Sequence, residues 1–131
     1  MQNSTVLKRV RTRCLALPET TETAAWGHPN FKAGKRTFVA YEIVTGRPSI
    51  AFRLPTPDVD RLLARSTSAR SQLRRDTGPQ FFATPYGRGQ WVSVWADAKL
   101  DWAMVYDLID RAYRTVALRR MLAARKSAAS N

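Results

Sequence analysis

The chain has one cysteine, Cys14, so no internal disulfide can staple it. A lone cysteine without a secretory leader fits a reducing cytoplasm better than an oxidising compartment. It has one histidine, His28, and one His with one distant Cys cannot assemble a zinc set. No stretch approaches the ~18 apolar residues of a membrane helix, so a soluble protein without a membrane partner is expected. Carboxylates are scarce, with 10 Asp and Glu against 22 Lys and Arg. Glu19, Glu22 and Glu42 fall in the first half but follow no paired-carboxylate spacing. Phosphate-loop signals also fail. Gly27 precedes Gly34-Lys35 at the wrong spacing, and Arg36 stands where a Ser or Thr would bind magnesium. Gly87-Arg88-Gly89 lacks a third glycine and falls between two strands, where its plain use is a tight turn. These absences point to a non-enzymatic protein without a cofactor or a metal.

What is present is a core and a charge. Of the 131 residues, 44% are hydrophobic and 10% aromatic, unlike a disordered chain. The length suits one domain over 1–131, with 127–131 a frayed tail and a monomer expected. The net charge of +12 should draw the chain to nucleic acid or to an anionic membrane surface. Most of the cations are arginines, whose planar forks match phosphate. A coding bias towards arginine gives the same excess, so charge alone names no site.

Taken in order, Val6, Val10, Cys14 and Leu17 form a helical stripe from Ser4 to Leu17, which Pro18 ends. Lys8, Arg9, Arg11 and Arg13 take its other faces, where solvation is their plain role. The stripe makes Cys14 a core residue. Glu19 to Thr23 reads as a polar connection. Aromatic and β-branched residues broken by Gly27, Pro29 and Gly34 then predict short strands with a tight turn at Ala33-Gly34-Lys35-Arg36. Another strand, Ser49 to Leu54, follows the Thr45-to-Pro48 turn. Thr56-Pro57-Asp58 is a helix start, with Val59, Leu62 and Leu63 as its apolar stripe. The Ser66-to-Gly78 stretch is arginine-rich, with one helical turn expected near Ala69 to Leu73.

Gln80 to Trp102 carries Trp91, Trp95 and Trp102. It reads as strand, Gly-rich turn, strand and helix cap, with Asp101 as the N-cap. Trp102, Val105, Tyr106, Ile109, Tyr113 and Val116 make the stripe of the last helix. Asp107–Arg111 and Asp110–Arg114 stand at the favourable spacing for ion pairs. In the strand, Trp91, Ser93 and Trp95 share one face, and Val92 and Val94 the other. Large apolar rings usually go inside, which makes the tryptophan face the expected core. Were it open instead, it would offer a stacking platform for bases.

Several segments together resemble the MmcQ/YjbR family. They are Pro18-Glu19-Thr20-Thr21-Glu22, the stretch from Trp26-Gly27-His28 to Lys32, and Gly34-Lys35-Arg36-Thr37-Phe38. Trp91-Val92-Ser93-Val94, Leu100-Asp101-Trp102 and Asp110-to-Ala117 extend the match, which runs from about Val6 to Leu118. The resemblance implies a frataxin-like α+β fold, an antiparallel sheet of two hairpin units covered on one face by helices. It also implies a double-wing protein described as DNA-binding, and it brings no catalytic motif. Frataxins present acids on their first helix. Here that helix is basic, which argues against a hard cation held by oxygen ligands.

Three readings follow. In the first, DNA phosphates meet Lys35 and Arg36 at one wing tip, Arg88 at the other, and Arg74 and Arg75 between them, with Arg47 a weaker candidate. The second is a small-molecule or nucleotide pocket near Trp26 and His28. A deep concave site there would favour it. The third is a protein-interaction module using an aromatic sheet face.

Overall fold

The computed structural model describes residues 4–25, 27–67, 80–85, 87–97, 99–119 and 121–124. Trp26, Arg74, Arg75, the helical turn expected near Ala69 and the tail 127–131 therefore lie outside the described residues.

Helix α1 (Ser4–Leu15) leads into four sequential strands: β1 (Thr20–Ala25), β2 (His28–Ala33), β3 (Arg36–Val44) and β4 (Arg47–Arg53). Helix α2 (Thr56–Thr67) follows, then β5 (Phe81–Ala83), β6 (Trp91–Trp95) and helix α3 (Trp102–Val116). The strands make one six-stranded sheet of order β1-β2-β3-β4-β6-β5, and every pairing is antiparallel. The two expected hairpin units are thus a four-strand meander and a two-strand hairpin, joined where β4 meets β6.

Local chemistry accounts for the turns. In the two-residue connection between β3 and β4, Thr45 and Gly46 both take positive φ, 50° and 83°. That is the pattern whose twist suits a tight hairpin. Between β2 and β3 it is Gly34 that takes a positive φ, 61°. A bulge between Phe31 and Lys32 shifts the β2–β3 register. Asp101 caps α3 by accepting a hydrogen bond from the Met104 backbone N–H at 3.2 Å. The α3 stripe holds, with Leu108 and Ala112 added to its buried face. Trp102 and Tyr106 lie at its margin, only half-buried.

Glu19 to Thr23 is a correction. Most of it is strand β1, paired from Thr20 with β2. The segment TTETAA is largely exposed and so carries no apolar alternation to announce a strand. Its edge position lets backbone pairing alone hold it.

The core forms between the helices and one face of the sheet. Val39, Tyr41, Ile50, Phe52, Phe81, Val92 and Val94 join Val105, Ile109 and Tyr113 in one buried cluster. The register places Ile50 opposite Val94 and Phe52 opposite Val92, so these strands share an inward face. Phe38 meets Tyr113 edge-on at 5.6 Å, an arrangement worth about 0.5–1.5 kcal/mol beyond area burial. The Tyr113 hydroxyl donates to the Pro18 carbonyl at 2.8 Å, tying α3 to the exit of α1. Cys14 is fully buried, and burial holds its thiol far above the ordinary range. It is a packing residue.

The tryptophans correct the expectation of an aromatic core. Val92 and Val94 are inside, while Trp91 and Trp95 are half-exposed on the opposite face. The helices cover the valine side, so the tryptophan side is open. Between the two rings Ser93 is fully buried, its hydroxyl 2.7 Å from that of Thr84.

Candidate nucleic-acid interface

The sheet register decides where the predicted cations sit. Ala33 pairs with Arg36 at the β2–β3 turn, and β3 and β4 run antiparallel, so β4 ends beside the start of β3. Arg53, at the end of β4, pairs with Trp91 at the start of β6. The turn with Lys35 and Arg36, the end of β4 with Arg53, and the β5–β6 loop with Arg88 therefore lie at one end of the sheet. The two tips are separated by three strand spacings, about 14 Å.

Lys35, Arg36 and Arg88 are all exposed, and none makes an ion pair among the described residues. Arg88 takes positive φ, 51°, followed by Gly89 at 79°, which lifts it at the loop tip. Arg53, which the sequence reading did not single out, donates to the Gln90 side chain at 3.1 Å. Its signal was a cation closing the apolar run Ile50-Ala51-Phe52 at the end of β4. The tip of this loop also approaches α2, since a side chain at Gly89 would stand 4.0 Å from the Thr56 methyl group.

Other arginines are committed elsewhere. Arg47 lies at the far end of the sheet, bonded to Asp97 through two nitrogens at 2.7 and 3.0 Å. Those bonds hold the Asp97 carboxyl below its usual range. Arg47 also covers the Trp95 ring at 3.9 Å, so it drops out of the candidate set. Arg11 grips Glu22 at 2.6 and 3.0 Å. The helix pairs Asp107–Arg111 and Asp110–Arg114 form at 2.8 and 3.9 Å. Arg9 lies 4.0 Å over the Trp102 ring and donates to the Tyr106 hydroxyl, and Arg13 lies 5.0 Å over the Tyr106 ring. The exposed face of α1 is thus partly an arginine–aromatic stack.

The open sheet face carries a second feature. A cavity of about 700 Å³ is lined by His28, Asn30, Glu42, Ile43, Thr45 and Pro85, among others. It adjoins one of about 230 Å³ reaching Thr37, Ala40, Ala51, Thr84 and Trp91. Asn30, Glu42 and Pro85 line both, so the two form one groove. Thr84, Pro85 and Gly87, just after β5, form its roof, with a Gly87 N–H to Thr84 carbonyl bond of 3.0 Å. Burial raises the Glu42 carboxyl, with the His28 imidazole pulling the other way. His28 thus lines a concave site. Among the described residues no group of three His, Cys, Asp or Glu is placed to hold a metal ion. No helix among them is long and apolar enough to cross a membrane.

No curated protein matches the chain. Among solved structures it is similar to the Deinococcus radiodurans protein DR2400, a DUF419 domain. The TM-score is 0.65 and the identity 17%, covering 92% of this chain and 85% of that one. At that identity the likeness establishes the fold. The YjbR family model matches residues 15–115. That span takes in the meander, the basic end, the groove and almost all of α3, and the chain belongs to the YjbR family.

Proposed function

We propose that the protein binds DNA through phosphate contacts at the basic end of its sheet. Lys35 and Arg36 form one contact point, Arg88 the other, with Arg53 between them. The supporting observation is their common placement: cations without acid partners among the described residues gather at the end of the sheet that carries both the β2–β3 turn and the β5–β6 loop. A separation of about 14 Å is close to the ~12 Å width of a B-DNA major groove, so the two tips suit phosphates on either side of it. Contacts of this kind position a protein on the duplex and carry no sequence readout. No catalytic step is assigned to the protein.

The test is fluorescence anisotropy with labelled duplex DNA across a salt series. Each phosphate contact adds about 0.9 to the log–log salt slope. Wild type should bind at physiological salt, and the variant with Lys35, Arg36 and Arg88 all changed to Ala should lose between two and three units of slope, by the same principle. Binding confined to low salt and indifferent to the three residues would overturn the reading.

A further inference from the structure

The groove on the open face has a chemistry that phosphate contact alone does not use. Its floor includes Ala40 and Ala51, both buried and small, so a flat ring can lie close against the strands. One wall is the half-exposed Trp91. Trp95 is already stacked, on Phe82 at 4.1 Å and under Arg47, whereas Trp91 has no ring or cation partner among the described residues. At the other end sits the half-buried Glu42, whose carboxylate has no hydrogen-bond or ion-pair partner among the described residues. The His28 imidazole acts on it electrostatically but makes no hydrogen bond to it, so both carboxylate oxygens stay open to donors, and burying a charge is unfavourable unless something compensates it.

A carboxylate is an acceptor through both oxygens and gains most from two parallel N–H donors. Guanine is the nucleobase whose hydrogen-bonding edge sets two such donors side by side, N1–H and the N2 amino group. Adenine and cytosine offer one donor beside one acceptor, which meets a carboxylate with repulsion. A guanidinium would also satisfy Glu42. The Trp91 end of the groove, however, lies beside Arg53, its partner across the β4–β6 ladder, and follows the loop that carries Arg88, and cations at that end disfavour a guanidinium and favour a phosphate. Stacking on Trp91 adds a contact that aromatic platforms give every base.

We propose that the open-face groove is a pocket for one unpaired guanine, its donor edge on the Glu42 carboxylate, its ring against Trp91 and its phosphate towards Arg53 and Arg88. Only the placement of the phosphate rests on the DNA-binding reading. The base pocket stands on the groove.

The experiment titrates the full chain with guanosine, adenosine and cytidine 5′-monophosphates, followed by calorimetry and by tryptophan fluorescence. Guanosine monophosphate should bind about tenfold tighter than the other two, the discrimination a bidentate pair provides. Glu42→Gln, which replaces one acceptor by a donor, should remove that preference while the variant still folds by circular dichroism. Equal binding of the three nucleotides, or a guanine preference that survives Glu42→Gln, overturns the proposal. So does agmatine binding more tightly than guanosine monophosphate, which would make Glu42 a guanidinium site. Short single strands with one central guanine or adenine separate the sources. A guanine preference in both formats assigns the pocket to nucleic acid, and a preference for the mononucleotide alone assigns it to free nucleotide. Duplex anisotropy is measured in parallel. Duplex binding without guanine preference ends the pocket proposal alone. Guanine preference without duplex binding keeps the base pocket and ends the DNA-binding reading with its phosphate placement.

Discussion

Gly87 is the sharpest test of the roof over the groove, because two physical effects predict opposite signs there. Its φ is not in the left-handed region, so alanine is conformationally allowed. Counting chain entropy alone, Gly87→Ala should stabilise the fold by about 0.4–1 kcal/mol, since alanine has fewer unfolded conformations to lose. The surroundings oppose this. An added Cβ would stand 2.9 Å from the Thr84 carbonyl oxygen and 2.9 Å from the Trp91 Cβ, with the Thr84 Cβ at 3.3 Å. None of these is the free end of a flexible side chain. The Thr84 oxygen also accepts the Gly87 N–H at 3.0 Å, and the Gly87 carbonyl accepts from Gln90 at 2.9 Å, so relief of the clash loosens both. Forcing one methyl into such a site costs about 1–3 kcal/mol, which exceeds the entropy gain. The net loss is then about 1 kcal/mol, up to about 2.5, and a chain of this size should melt about 3–8 °C lower, read by circular dichroism and by tryptophan fluorescence. A variant melting at or above wild type would refute the packing argument and the roof built on it.

Glu42→Gln should raise thermal stability at neutral pH. The folded-state pKa of Glu42 lies above its ordinary 4.5, so the folded state binds the extra proton and stability falls as pH rises through that window. The advantage of Gln should therefore shrink towards zero as pH is lowered to the ordinary value and below, and a gap independent of pH would contradict the assignment. Asp101→Ala should lower stability by about 1 kcal/mol through loss of the α3 cap, while Asp101→Asn should stay near wild type in the same melts. Tyr113→Phe should cost about 1 kcal/mol by freeing the Pro18 carbonyl, read as a shifted urea midpoint at unchanged slope.

Much of this fold is written locally. The α3 stripe, the Asp101 cap, the Thr45-Gly46 turn and the helix start at Thr56 each follow from residues a few positions apart, where periodicity and capping act. Strand β1 was not legible, because an edge strand with both faces largely wet has no hydrophobic alternation. The direction of Trp91 and Trp95 was not legible either. The strand WVSVW has apolar residues on both faces, and only the helices packed on Val92 and Val94 decide which face is inside. Lys35, Arg36 and Arg88 could be named from their turns. Their gathering at one end depends on the pairing of β4 with β6 across more than thirty residues. Glu42 stands out in hindsight as an acid within the apolar run Phe38 to Val44, but its groove is made by a segment that folds back from beyond β5.

The most direct test of the basic-end account compares two variants of equal charge. One changes Lys35, Arg36 and Arg88 to Ala. The other changes Arg61, Arg111 and Arg114, which sit on α2 and α3 in ion pairs with Asp58, Asp107 and Asp110. Each removes three positive charges from the chain. With labelled duplex DNA at physiological salt, the account predicts that the first variant loses affinity and salt slope while the second binds like wild type. Equal losses in both would mean that net charge, not the end of the sheet, holds the DNA.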